Sequence, residues 1–162
     1  MTKITKIFVD MDGVLADFIQ GVEGPEFLNA PLADQKDYDA RKVELSNKGL
    51  FKKLPVMSGM LNLKLFLQKC GVEWEVLTCS GTKNRQVVIN DKIYWIRKYV
   101  DSKVVVTATF KGKDKAFFAK PDRVLIDDRA DNIAAWEAAG GVGILFKDAK
   151  STIRDLQLLL AT

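Results

Sequence analysis

Five short apolar runs, separated by stretches with helical spacing, constrain this chain more than any other feature. The runs are Ile4–Val9, Val72–Thr78, Lys103–Thr107, Val124–Ile126 and Val142–Phe146, and each reads as a buried β-strand. Helices are expected between them. The first covers Met60–Lys69, with Ser58 as N-cap and Gly71 as its stop. The second runs over about 86–99, where Val88, Ile89, Ile93, Ile96 and Val100 form a core face. Three more are expected around Asp114–Lys120 (ended by Pro121), Asp131–Ala139 (closed by Gly140-Gly141) and Ser151–Leu160. Strands alternating with helices require crossover connections, and these build a parallel sheet. The expected fold is α/β, a three-layer sandwich with a parallel five-stranded sheet between helices.

One stretch breaks the rhythm. Residues 17–54 are polar and helix-prone, interrupted by Gly24-Pro25 and Pro31, with Phe18, Phe27, Tyr38 and Phe51 scattered through them. They read as an insertion that leaves the first strand and returns at Pro55. The expected organisation is therefore a core of residues 1–16 and 55–162 carrying a small helical cap, 17–54, inserted after the first strand. A chain of 162 residues suits one such domain. A cap rooted beside a strand end is well placed to act as a lid.

The chemistry concentrates where strands stop. The first run ends in Asp10 and Asp12, followed by Gly13, and another ends in Asp127-Asp128. Side chains two apart in a strand share a side, so Asp10 and Asp12 can converge on one point. Open parallel sheets bind ligands at the carboxyl ends of their strands. Two strand-terminal acid pairs point to a divalent-cation site with a reactive carboxylate. Thr78 and Ser80 close the second strand, and Lys115 precedes the fourth. The chain has no histidine, which excludes histidine-based zinc sites, Ser-His-Asp triads and histidine phosphotransfer. Acid–base work must then fall to carboxylates, lysine, tyrosine or cysteine. Cys70 and Cys79 offer no disulfide framework and read as partly buried free thiols. A net charge of +4 suits a small anionic substrate rather than a stable nucleic-acid complex. No signal-peptide pattern and no apolar run of bilayer length is present, so a soluble, cytoplasmic protein without membrane partners is expected.

This set resembles the haloacid dehalogenase superfamily of phosphotransferases. Asp10-Met-Asp-Gly-Val14 matches its first motif, Thr78 its strand-end hydroxyl, Lys115 its lysine and Ile126-Asp-Asp128 its acidic fourth motif. Within it, Asp10 to Phe18, Leu54-Pro-Val-Met-Ser-Gly59, Lys92 three before Trp95, Asp114-Lys115 and Leu125-Ile-Asp-Asp-Arg129 look like the 5'(3')-deoxyribonucleotidase family. That resemblance implies hydrolysis of a nucleoside monophosphate to nucleoside and phosphate.

A mechanism of that kind follows from the residue chemistry. Asp10 is the nucleophile and forms an aspartyl-phosphate. Asp12 protonates the departing oxygen, then takes a proton from the hydrolytic water. Two anions meeting in a dry cleft require a cation, and oxygen-only ligands select Mg2+. Asp10, the Asp12 backbone carbonyl and the Asp127-Asp128 pair supply those ligands. Spacing leaves Asp127 and Asp128 equivalent; the resemblance selects Asp128 for direct ligation. Thr78 and Lys115 are the expected phosphate ligands, supported by Cys79, Ser80, Lys92 and Arg85, with the choice between the Thr78 and Ser80 hydroxyls open. Arg129 and Asp131 are expected to orient the acidic loop. The resemblance puts the aromatic ring of Phe18 against the nucleobase. Trp74, Trp95 and Trp136 are assigned to the core. Another phosphate ester as substrate, a non-catalytic nucleotide-binding role and a homodimeric state stay open.

Overall fold

The computed structural model describes residues 2–23 and 35–161. Five strands form one parallel sheet in the order β3-β2-β1-β4-β5: β1 Lys6–Val9, β2 Glu73–Cys79, β3 Val106–Thr109, β4 Arg123–Asp127 and β5 Val142–Leu145. The helices are α1 Phe18–Glu23, α2 Gln35–Asn47, α3 Leu50–Lys53, α4 Met60–Lys69, α5 Arg85–Tyr99, α6 Ala130–Ala138 and α7 Ala149–Leu160. A 3-10 helix, Gly112–Phe118, replaces the α-helix expected around Asp114–Lys120. The strand expected at Lys103–Thr107 begins later, at Val106, because Asp101 caps the preceding turn by accepting from the backbone N–H groups of Lys103 and Val104.

Strand periodicity builds the two faces. Ile7, Val9, Val76, Val124 and Ile126 belong to one buried cluster with Leu63 and Leu67 of α4, Trp95 and Ile96 of α5, and Leu156 of α7. The residues between them, Phe8, Leu77 and Leu125, pack on the opposite side against Ile133 and Trp136 of α6, with Phe118 alongside. Both faces are therefore dry, the condition under which short parallel strands read as continuous apolar runs. Trp95 and Trp136 are fully buried and Trp74 packs against the first cluster, as the core assignment requires. Both cysteines are free and half-buried.

At α4 the N-cap is Gly59, not Ser58. Its φ is +75°, and a Cβ there would come 2.7 Å from the Ala149 Cβ at the start of α7, so the packing of α4 on α7 selects glycine. The chain leaves the first strand and returns beside itself. The Asp17 N–H donates to Pro55 O (2.8 Å) and the Met57 N–H to Leu15 O (2.9 Å). Helices α1, α2 and α3 lie between these paired ends. The breaks read at Gly24-Pro25 and Pro31, and Phe27, fall outside the described residues. No helix among those described is long and apolar enough to cross a membrane.

Candidate active site

The direction of strand succession reverses between β1 and β4. Chain order runs outward to β3 on one side and resumes with β4 on the other, which opens a crevice at their carboxyl ends. Val9 pairs with Ile126, and the Asp10 N–H donates to Ile126 O (2.9 Å), so Asp10 emerges directly beside the end of β4. The chain then coils tightly: Leu15 and Ala16 N–H groups both donate to Met11 O (2.9 Å each) and the Gly13 N–H to Ala16 O (2.8 Å). Gly13 has φ +82°, and a Cβ on it would lie 2.1 Å from Asp128 Oδ2. Only glycine allows that turn and that approach together.

Three acids and one ammonium meet there. Oxygens of Asp10, Asp127 and Asp128 lie within 4.8 Å of one another. Lys115, carried by the 3-10 helix, is 1% exposed and sets its Nζ 2.8 Å from Asp10 Oδ1 and 2.6 Å from Asp127 Oδ2. Asp127 is saturated: Asn132 Nδ2 donates to both its oxygens (3.2 and 3.1 Å) and the Arg129 N–H to its Oδ1 (2.9 Å). Asp128 stands at the rim and has no such side-chain donors among the described residues. Asp10 Oδ1 also accepts the Met11 N–H (2.8 Å), and among the described residues no hydrogen bond reaches its Oδ2.

The electrostatics record an excess of negative charge. Burial pushes the Asp10 carboxyl up to about 7, with Asp127 and Asp12 adding to the effect and Lys115 opposing it. Enclosure by surrounding protein, then the charge of Asp127, push Asp128 up to about 6. Lys115 is raised although burial works against its charge, because Asp10 and Asp127 more than offset that penalty. One ammonium does not balance this cluster. An all-oxygen donor set with surplus negative charge fits a hard divalent cation.

A second cluster faces the first. Lys92, on α5 and 1% exposed, donates to Asp12 Oδ2 (2.7 Å), Thr78 Oγ1 (2.9 Å) and the Cys79 carbonyl (2.7 Å). Thr78, at the end of β2, is itself 1% exposed. Ser80 turns elsewhere: its hydroxyl lies 3.0 Å from Thr109 O, Arg85 donates to it, and Arg85 also covers the Phe110 ring.

A cavity of about 520 Å3 is lined by Asp10, Asp12, Lys115 and Asp128, by Phe18 and Ile19 of α1, and by Asp39 and Lys42 of α2. Lys111, Lys113, Arg129 and Asp131 form its rim. The Phe18 ring stacks on Phe51 (6.0 Å between centroids, 18° between planes), and Lys42 Nζ lies 5.2 Å from its centre. A neighbouring cavity of about 940 Å3 meets the first at Asp39, Lys42 and Cys79 and holds Ser80. The structure thus brings Asp10, Asp12, Lys115, Asp128 and Phe18 to one cavity, with Cys79 at the junction. Asp127, Thr78 and Lys92 are buried beside it rather than lining it, and Ser80 and Arg85 lie off to one side. Sequence reasoning missed Asn132, although its position in the first turn of α6, just after the acid pair, was a usable signal. It also missed Ile19, Asp39 and Lys42, for which no local pattern exists.

No model of a known protein family matches the sequence, and no curated protein does. Solved structures do match. A haloacid dehalogenase-like family hydrolase from Xanthomonas campestris superposes with a TM-score of 0.63 at 12% identity, over 98% of this chain and 92% of that one. D,D-heptose 1,7-bisphosphate phosphatase from Burkholderia thailandensis gives 0.57 at 12% identity, over 94% and 98%. A HAD family hydrolase from Deinococcus radiodurans with bound phosphate and sodium gives 0.52 at 13%, over 96% and 89%. The chain has the fold of these hydrolases.

Proposed function

We propose that this protein is a Mg2+-dependent phosphomonoesterase that hydrolyses (deoxy)ribonucleoside monophosphates to nucleoside and phosphate through an aspartyl-phosphate on Asp10. One observation carries the reading: Asp10, Lys115 and Asp128 meet at the ends of two adjacent strands, with acid oxygens within 4.8 Å. Asp10 and Asp128, with the Asp12 carbonyl, would hold the ion. Asp127, already bound by Lys115 and Asn132, would keep that lysine in place. When bound, Mg2+ supplies positive charge that lets an anionic ester approach a carboxylate.

The protein groups do the rest. Asp10 attacks phosphorus and Asp12 gives a proton to the leaving oxygen, so the ester bond breaks as the aspartyl-phosphate forms. Water then attacks that phosphorus, Asp12 takes its proton, and Asp10 is regenerated. An ammonium has three hydrogens, and Lys115 spends two on Asp10 and Asp127, leaving one for a phosphoryl oxygen. The Thr78 hydroxyl accepts from Lys92 and keeps its own hydrogen to donate. Phe18 supplies the face for the base, and α1, α2 and α3 of the inserted segment serve as the cap over the cavity. Phosphoryl chemistry also has support from relatives in fold, one a bisphosphate phosphatase and another with bound phosphate.

A second reading keeps the chemistry and changes the leaving group. The adjoining cavity of about 940 Å3, edged by Lys36 and Lys83, favours a larger anionic alcohol such as a polynucleotide end. A panel of nucleoside monophosphates, sugar phosphates and phosphorylated oligonucleotides with Mg2+ separates the two. Turnover of nucleoside monophosphates is expected, with Asp10→Asn abolishing it while the circular dichroism spectrum is unchanged. Retained turnover in Asp10→Asn eliminates the covalent mechanism.

A further inference from the structure

Its place on the helix after the second strand made Lys92 a candidate phosphate ligand, but its hydrogens are already committed. Its ammonium has three, and three acceptors lie within 2.9 Å: Asp12 Oδ2, Thr78 Oγ1 and the Cys79 carbonyl. The face of Phe51 closes another side, 4.7 Å from Nζ to the ring centre. None is left for a substrate oxygen.

The partners make sense of that arrangement. Lys92 is the only hydrogen-bond partner of the Asp12 carboxyl among the described residues, and the other oxygen, Oδ1, is buried without one. Without Lys92 that carboxyl has no polar contact to fix its rotamer. Donation into Thr78 Oγ1 likewise turns the hydroxyl hydrogen of Thr78 away from α5. The helix presenting Lys92 is itself clamped. Trp95 Nε1 donates to Leu54 O (2.8 Å), and Asp91 pairs with Lys52 of α3 (3.2 Å). Lys92 therefore projects from a fixed backbone, against a ring that stacks on Phe18 in the cavity.

We infer that Lys92 is a positioning residue for leaving-group protonation: it holds the Asp12 carboxyl at its working orientation and sets the Thr78 hydroxyl, rather than binding phosphate. The inference rests on the phosphatase reading, in which Asp12 gives its proton to the ester oxygen as the P–O bond breaks and recovers one from water. A residue acting through the acid matters only where the leaving group needs a proton. A nucleoside alkoxide does; p-nitrophenolate, a stable anion, does not.

The test is the leaving-group dependence of kcat in Lys92→Met and Lys92→Arg, with saturating Mg2+. For Lys92→Met, kcat on a nucleoside 5'-monophosphate should fall on the order of a hundredfold, the range of a lost general acid. On p-nitrophenyl phosphate the loss should be at least tenfold smaller, a ratio a folding defect would not move. In an Asp12→Ala background, Lys92→Met should leave the ratio of the two rates unchanged. Lys92→Arg, which keeps the charge, carries the same readout if the methionine variant does not fold, and should give a smaller shift of the same sign. Equal losses on both substrates, with weakened inhibition by inorganic phosphate, overturn the inference and make Lys92 a phosphate ligand. No turnover of either substrate by the unaltered protein refutes the phosphatase reading itself.

Discussion

Replacing Lys115 by methionine isolates the electrostatic premise of the site. The side chain is 1% exposed, and its two partners, Asp10 and Asp127, are 9% and 0% exposed. Removing one partner of a buried ion pair costs about 3–5 kcal/mol, because the surviving charge stays buried. Here one ammonium serves two carboxylates, so the upper end, about 5 kcal/mol, applies. At 2–4 °C per kcal/mol for a domain of this size, Tm should drop by about 10–20 °C. The loss should depend on pH with a definite sign. Asp10 is already raised to about 7 by burial, and Lys115 is what opposes that rise, so the variant raises it further. A carboxyl with a higher pKa folded than unfolded binds more protons in the folded state, so stability falls as pH climbs above about 4. The gap between variant and parent should therefore widen from pH 5 to pH 8. Thermal melts in EDTA at both pH values measure it, with Lys113→Met, an exposed lysine of the same helix, as the control. A Tm change below about 3 °C, or one equal at both pH values, would refute the idea that Lys115 compensates buried carboxylates.

Mg2+ at a hundredfold excess over its Kd should stabilise the parent by about 2.7 kcal/mol. That effect should be larger at pH 8 than at pH 5, where the raised Asp10 and Asp128 carry protons, and Asp128→Asn should remove most of it. A thermal shift equal at both pH values would argue against these two ligands. Gly13→Ala places a Cβ 2.1 Å from Asp128 Oδ2 at φ +82°. Left-handed strain makes the fold about 1–2 kcal/mol less stable, while displacement of Asp128 should cost a far larger share of Mg2+-dependent turnover. Titrating activity against Mg2+ in that variant checks the split, and an unchanged Mg2+ requirement would disprove it.

Local patterns carried much of the architecture. Of the face expected at helical spacing on α5, Val88, Ile96 and Val100 are in the core while Ile89 and Ile93 are only half-buried, and helix ends at Lys69, Tyr99 and Leu160 fall at their expected positions. Where two local preferences compete, the structure departs from the local pattern. The turn held by Asp101 delayed β3, and a 3-10 helix took the place of an α-helix before Pro121. Gly59 displaced Ser58 as the cap because α7 packs too closely for a side chain there. That contact lies ninety residues along the chain, and no window of neighbours contains it.

The same division holds for the site. The order of residues alone determined that Asp10, Asp12, Asp127 and Asp128 end their strands, since an apolar run broken by carboxylates is legible wherever it occurs. Only the folded sheet decided that β1 and β4 are neighbours, that Lys115 compensates Asp10 and Asp127, and that Lys92 spends its hydrogens on Asp12, Thr78 and Cys79. Spacing along a chain fixes which way a side chain points from its own strand or helix. What it meets there depends on how crossovers stack separate segments, and that is settled by packing across the whole core.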